Sequence, residues 1–177
     1  MTDLYEYGRA LFLVTEERGA SDAALKDLKT VLAALSSEPE YPSLLDTPAL
    51  SKDKRVGLID EAFSGIDESV KSLLMILCEK RAVYAFKQVF DAFSKEYDRS
   101  RGIIRVEAIT AVPLSEEQKA TLTHRLKAKL GGTIVLSGTV DPSILGGIKL
   151  RYSGKQLDGS VKTRLDSFAE ALRTTVI

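Results

Sequence analysis

Residues 86–108 read Phe-Lys-Gln-Val-Phe-Asp-Ala-Phe-Ser-Lys-Glu-Tyr-Asp-Arg-Ser-Arg-Gly-Ile-Ile-Arg-Val-Glu-Ala, and the hydrophobic period changes inside that stretch. Phe86, Val89, Phe90, Phe93 and Tyr97 recur every three or four positions, the spacing of one helix face. Gly102 ends that pattern. Beyond it Ile104, Val106 and Ala108 alternate with Arg105 and Glu107, the two-residue period of a half-buried strand. The chain therefore passes from helices to a mixed unit near residue 102.

Working back from this point, the sequence predicts helices in series. Residues 3–18 carry Leu4, Tyr7, Leu11 and Val14 on one face, and Gly19 stops them. Ser21 is the expected cap of a second helix with Leu25, Leu28, Leu32 and Leu35 along one side. Pro39 and Pro42 suggest a loop, with one turn over 43–47. Ser51 and Asp67 are the expected caps of a fourth helix, ended by Gly65, and of a fifth running to about Lys80.

Working forward, Ser115-Glu116-Glu117-Gln118 is a capping-box signature ahead of Leu122, Leu126 and Leu130. Strands are expected at 134–140, at 148–152 and around Leu157, the last two joined by a Ser153-Gly154 turn. Ser160 caps an expected final helix with Val161, Leu165, Phe168 and Leu172. The predicted class is α+β, mostly α. A six-helix bundle over 1–102 precedes a small α/β domain over 103–177.

Composition narrows function. The 177 residues carry 25 basic and 25 acidic side chains, against a strongly basic nucleic-acid binder. That zero is a sum. Residues 1–105 hold 15 basic and 18 acidic groups, and the remainder 10 and 7, so the two halves are modestly opposite in charge. One Cys and one His, Cys78 and His124, supply neither a disulfide nor a metal-ligand spacing. The longest apolar runs are five and six residues, too short to span a bilayer. The opening Met-Thr-Asp-Leu-Tyr-Glu-Tyr lacks the basic start of a signal or transit peptide.

Candidate chemistry is sparse. Gly154-Lys155 is followed by Gln156, so it does not complete a phosphate loop, and Gly146-Gly147 precedes a strand pattern rather than a helix. Glu16-Glu17, Asp60-Glu61 and Glu116-Glu117 fall on helix surfaces, without the apolar setting an acid–base pair needs. His124 reads as a surface residue. Lys149, Arg151, Lys155, Lys162 and Arg164 form a mild basic concentration suited to phosphate or an acidic helix. Cys78 lies in an apolar run, where a thiol is ordinarily inert packing, although a Cys-based enzyme is a formal competing class. No catalytic residue, cofactor or metal is expected.

Two runs stand out, Ala10 to Val14 and Leu73 to Cys78. Five successive apolar residues at roughly 100° each go all the way round a helix. Either these two helices are buried on all sides, or their outer faces form a groove for a partner's amphipathic helix.

Three segments resemble one family. Tyr7-Gly8-Arg9-Ala10-Leu11 is similar to a Tyr-Ala-x-Ala-Leu pattern, with Gly8 in place of Ala. The leucine-rich helix ending Glu79-Lys80-Arg81 resembles one that closes in Gly-Arg. Most specific is Asp141-Pro142-Ser143-Ile144-Leu145-Gly146-Gly147, followed by Arg151 and then Asp158-Gly159-Ser160. The family is the delta subunit of the bacterial F-type ATP synthase, called the oligomycin-sensitivity-conferring protein in mitochondria.

The resemblance implies a non-catalytic stator subunit. Its N-terminal bundle would bind the N-terminal helices of the alpha subunits on the catalytic head. Its C-terminal part would hold the C-terminal helices of the b subunits, and the connection would keep the head from turning with the rotor. It implies a peripheral position at the cytoplasmic face of the cell membrane, held there through the complex, and no nucleic acid. The alpha-helix groove would lie between the first and fifth helices, lined by Tyr7, Ala10, Leu11 and Val14 on one side and Leu74, Met75 and Cys78 on the other. A generic helical adaptor is the alternative.

Overall fold

The computed structural model describes residues 4–38, 40–47, 50–144 and 146–159. Helices α1 (Leu4–Glu17), α2 (Ser21–Ser37), α3 (Glu40–Asp46), α4 (Lys52–Ala62), α5 (Glu68–Glu79) and α6 (Phe86–Ser100) come first, with a 3-10 turn at Val83–Ala85. Then follow β1 (Ile103–Thr110), α7 (Glu116–Leu130), β2 (Thr133–Val140), β3 (Ile148–Tyr152) and β4 (Lys155–Asp158). The fold is mostly helical with a small mixed sheet, in the predicted α+β class. It divides into two units, Met1–Tyr97 and Asp98–Ile177. The final helix expected from Ser160 lies outside the described residues.

In the first unit the core is one cluster. Leu28, Val31, Leu45, Ile59, Val70, Leu74, Leu77, Val89 and Phe93 are fully enclosed in it. α1 buries Gly8, Leu11, Phe12 and Thr15. Phe12 meets Phe93 of α6 edge-on, with ring centroids 5.7 Å apart. The Thr15 hydroxyl donates to the Leu11 carbonyl at 2.9 Å, which satisfies it inside the core.

Some local expectations held and others did not. The Asp67 carboxylate accepts from the Ser69 N–H at 2.8 Å and caps α5, as predicted. Ser51 occupies the N-cap of α4 without a side-chain capping bond. Ser21 is no cap either. It lies inside α2, behind Ala20, and its hydroxyl turns to the Glu16 carboxylate. Pro42 does not hold a loop open, because it sits in the first turn of α3, where its missing N–H removes no helix bond. α4 stops at Ala62, before Gly65.

The second unit holds a four-stranded sheet in the order β2-β1-β3-β4. β1 and β2 are parallel, and α7 is the crossover that such a pair requires. β3 runs antiparallel to β1, and β4 antiparallel to β3. Ser153 (φ 47°) and Gly154 (φ 74°) form the two-residue turn of that hairpin, and positive φ at both positions suits the right-handed strand twist. The Ser115 hydroxyl accepts from Gln118 N–H while the Gln118 side chain accepts from Ser115 N–H, completing the predicted capping box of α7.

Candidate partner-binding site

α1 and α5 lie side by side and antiparallel. At one end Arg18 donates to the Ser69 hydroxyl at 2.8 Å. At the other the Lys80 ammonium stands 6.0 Å from the centroid of the Tyr7 ring. Tyr7, Leu11, Val14 and Arg18 form the α1 side of the seam. Ser69, Leu73, Ile76 and Lys80 lie on the matching α5 face at helical spacing. Just outside the seam Ala10 and Ser72 are exposed and small, one on each helix.

Part of the surplus apolar surface noted in the sequence lies along this seam. Val14 is 49 % exposed and Ile76 39 %, with Leu11 and Leu73 buried on the same helix sides, whereas Leu13, 66 % exposed, lies roughly 130° round α1 from the seam. This strip, the furrow, exposes Val14 and Ile76 beside the buried Leu11 and Leu73, with Arg18 at one end and Lys80 at the other.

The expected residues divide accordingly. Tyr7 is half-buried, and Ala10 and Val14 are exposed on the furrow, while Leu11 lies under it. Leu74 and Cys78 are enclosed in the core. Relative to Ser69, the positions of Leu74, Met75 and Cys78 are roughly 120–180° round the helix. Met75 and Cys78 line a cavity of about 20 Å³ against Arg55, Val56 and Ile59 of α4. Ile76 is the furrow residue that the sequence reading missed, and counting helical steps from the buried Leu73 would have found it.

The chemistry of the site is that of a surface. Burial, reinforced by Asp46 and partly opposed by Arg55, pushes the Cys78 thiol up to about 11, far from a reactive thiolate. Among the described residues no group of three His, Cys, Asp or Glu side chains could hold a metal ion. No described helix is long and apolar enough to cross a membrane. In the second unit a cleft of about 540 Å³ opens between α7 and the sheet, lined by Leu114, Leu122 and Ile148 with Gln118 and Arg125 among them.

Comparison with known proteins shows what the whole chain is similar to. The family model for the ATP synthase delta (OSCP) subunit matches residues 5–172. ATP synthase subunit delta of Zymomonas mobilis is 33% identical over 170 residues, covering 94% of this chain and 92% of that protein. ATP synthase subunit delta of a Geobacillus strain is 30% identical over 167 residues, covering 94% of each. A chain in the cryo-EM structure of the Toxoplasma gondii mitochondrial ATP synthase hexamer superposes with a TM-score of 0.74 at 26% identity, covering 97% of this chain and 98% of that one. With the match running almost from end to end, the chain belongs to the ATP synthase delta (OSCP) subunit family.

Proposed function

We infer that the protein is a non-catalytic stator subunit of an F-type ATP synthase, tying the catalytic head to the peripheral stalk so that rotation is coupled to ATP synthesis. The family match across residues 5–172 carries this reading and displaces the generic adaptor. In it, the N-terminal unit is a six-helix bundle that receives an alpha-subunit N-terminal helix in the α1–α5 furrow. Tyr7, Ala10 and Val14 touch the guest, and Leu11, Leu74, Met75 and Cys78 shape the furrow from behind. An exposed apolar strip between two helices is the surface that a guest helix covers. The C-terminal part holds the C-terminal helices of the b subunits, and the cleft beside α7 offers them apolar walls with one cation. The subunit then works at the cytoplasmic face of the cell membrane, bound through the complex.

The test is a titration with a synthetic alpha-subunit N-terminal peptide, read by fluorescence anisotropy. Saturable binding at micromolar concentration is expected. Ala10→Asp and Val14→Asp, both at exposed positions, weaken it at least tenfold while the far-UV circular dichroism stays helical. A wild-type protein that binds no peptide in this range overturns the docking reading.

A further inference from the structure

The two furrow helices are copies of one pattern. Residues 6–18 read Glu-Tyr-Gly-Arg-Ala-Leu-Phe-Leu-Val-Thr-Glu-Glu-Arg, and residues 68–80 read Glu-Ser-Val-Lys-Ser-Leu-Leu-Met-Ile-Leu-Cys-Glu-Lys. Aligned without a gap, they keep the same Glu, Leu and Glu at 6/68, 11/73 and 17/79. Arg9/Lys71, Ala10/Ser72, Phe12/Leu74, Leu13/Met75, Val14/Ile76 and Arg18/Lys80 match in kind.

The structure gives this repeat a geometry. The antiparallel pairing relates the helices by an approximate two-fold axis across the furrow, and the pattern obeys it. Arg18 reaches Ser69 at one end, and its counterpart Lys80 reaches Tyr7, the counterpart of Ser69, at the other. Arg9 pairs with Glu96 of α6, and its counterpart Lys71 with Asp60 of α4. Leu11, Phe12 and Thr15 are buried, and so are Leu73, Leu74 and Leu77.

A two-fold furrow presents the same apolar stripe to a guest helix lying in either direction. The stripe therefore cannot choose between the directions. Only the ends can, and they differ. At the Tyr7–Lys80 end both acids are neutralised: Glu6 by Arg9 at 3.1 Å, and Glu79 by Lys52 at 2.5 Å. The Lys52 hydrogen bond also holds the Glu79 carboxyl below its ordinary range. At the other end the counterparts Glu17 and Glu68 are exposed and form no ion pair among the described residues, the seam cation there, Arg18, being bonded to the Ser69 hydroxyl instead. Glu17 also sits at the C-terminus of α1, where the helix dipole disfavours an anion and an incoming cation relieves it.

We propose that the direction of the guest helix is set at the ends of the furrow, its cationic end lying against Glu17 and Glu68 and its other end on Tyr7 and Lys80. The inference rests on the docking reading above and adds a polarity to it. A guest of about three turns covers the distance from Tyr7 to Arg18.

The experiment uses the full chain and two synthetic amphipathic peptides of about 20 residues with one apolar stripe. One clusters lysines at its N-terminal end, the other at its C-terminal end, and each carries a nitroxide beside the lysines. Paramagnetic broadening of backbone amides reports which end of the furrow the label occupies. Broadening near Glu17 and Glu68 is expected with both peptides, so the direction inverts with the lysines. The surface variant Glu17→Gln/Glu68→Gln leaves the fold intact and brings the two directions to within about threefold of each other. Broadening at both ends in the wild-type protein, or at one fixed end whichever peptide is used, overturns the inference while leaving the docking site standing. Failure of these peptides and of the alpha-subunit peptide to bind overturns both.

Discussion

Gly8 of α1 and Ala92 of α6 approach so closely that a Cβ on Gly8 would stand 2.7 Å from the Ala92 Cβ, and 2.9 Å from the Phe93 nitrogen. The Val89 carbonyl oxygen would be closer still. Two of those three atoms are helix backbone and cannot swing aside. Gly8→Ala would gain about 1 kcal/mol of helix propensity. It would also force α1 away from α6, an overpacking that costs about 1–3 kcal/mol. The net expectation is lower stability, measured as a lower urea midpoint with an unchanged m-value.

The furrow and the core beneath it should respond in opposite ways. Ile76→Asp changes a residue 39 % exposed on the seam and should leave the thermal midpoint within a few degrees of wild type while weakening guest binding. Leu74→Ala removes a fully buried side chain two residues away and should cost about 2–5 kcal/mol. Parallel melting curves and peptide titrations separate the two. An Ile76→Asp protein that unfolds would mean the seam is closed in solution.

This contrast marks what the sequence could disclose. Single-element signals were legible because they are local. The Ser115–Gln118 box, the Asp67 cap, the Ser153–Gly154 turn and the period change at Gly102 each involve residues within a few positions of one another. The run Leu73 to Cys78 could not be oriented, since a stretch that is apolar all round has no phase. The phase is fixed from outside, by Arg18 on Ser69 and Lys80 on Tyr7, contacts between residues dozens of positions apart. Strand order was hidden for the same reason. Nothing local says that β1 sits between β2 and β3, because the pairing of Ile104 with Ile134 is decided by the crossover. Ser21 misled because the serine that looks like a cap finds a better acceptor in Glu16.

Cys78 offers a pH test. Its ordinary value is 9.0, and in the fold burial raises it to about 11. The folded state thus holds the thiol proton more tightly than the unfolded chain does. Its contribution to stability is complete below pH 9 and is lost as the pH rises towards 11. Denaturant midpoints of the wild type should fall across that window, and those of Cys78→Ala should fall less. At pH 8 the native thiol should react with iodoacetamide only as fast as the chain opens, and a rapid native reaction would contradict its enclosure.

The capping box of α7 provides a test that needs no partner. Ser115 accepts from Gln118 N–H at 3.2 Å, and Gln118 accepts from Ser115 N–H at 2.9 Å, so each side chain satisfies a backbone donor that the helix leaves open. Ser115→Ala should cost about 1 kcal/mol. Gln118→Ala should cost less, since alanine is a better helix former at that position and offsets part of the lost bond. The two contacts share one turn of backbone, so removing either frays the other, and the double variant should lose less than the sum of the single losses. Hydrogen exchange at the amides of Gln118 and Lys119 reads the loss where it occurs. Both amides should exchange faster in Ser115→Ala, with protection of the α1 and α5 amides unchanged. Strictly additive losses would show that the two bonds act independently and that the first turn of α7 is held by its packing on the sheet.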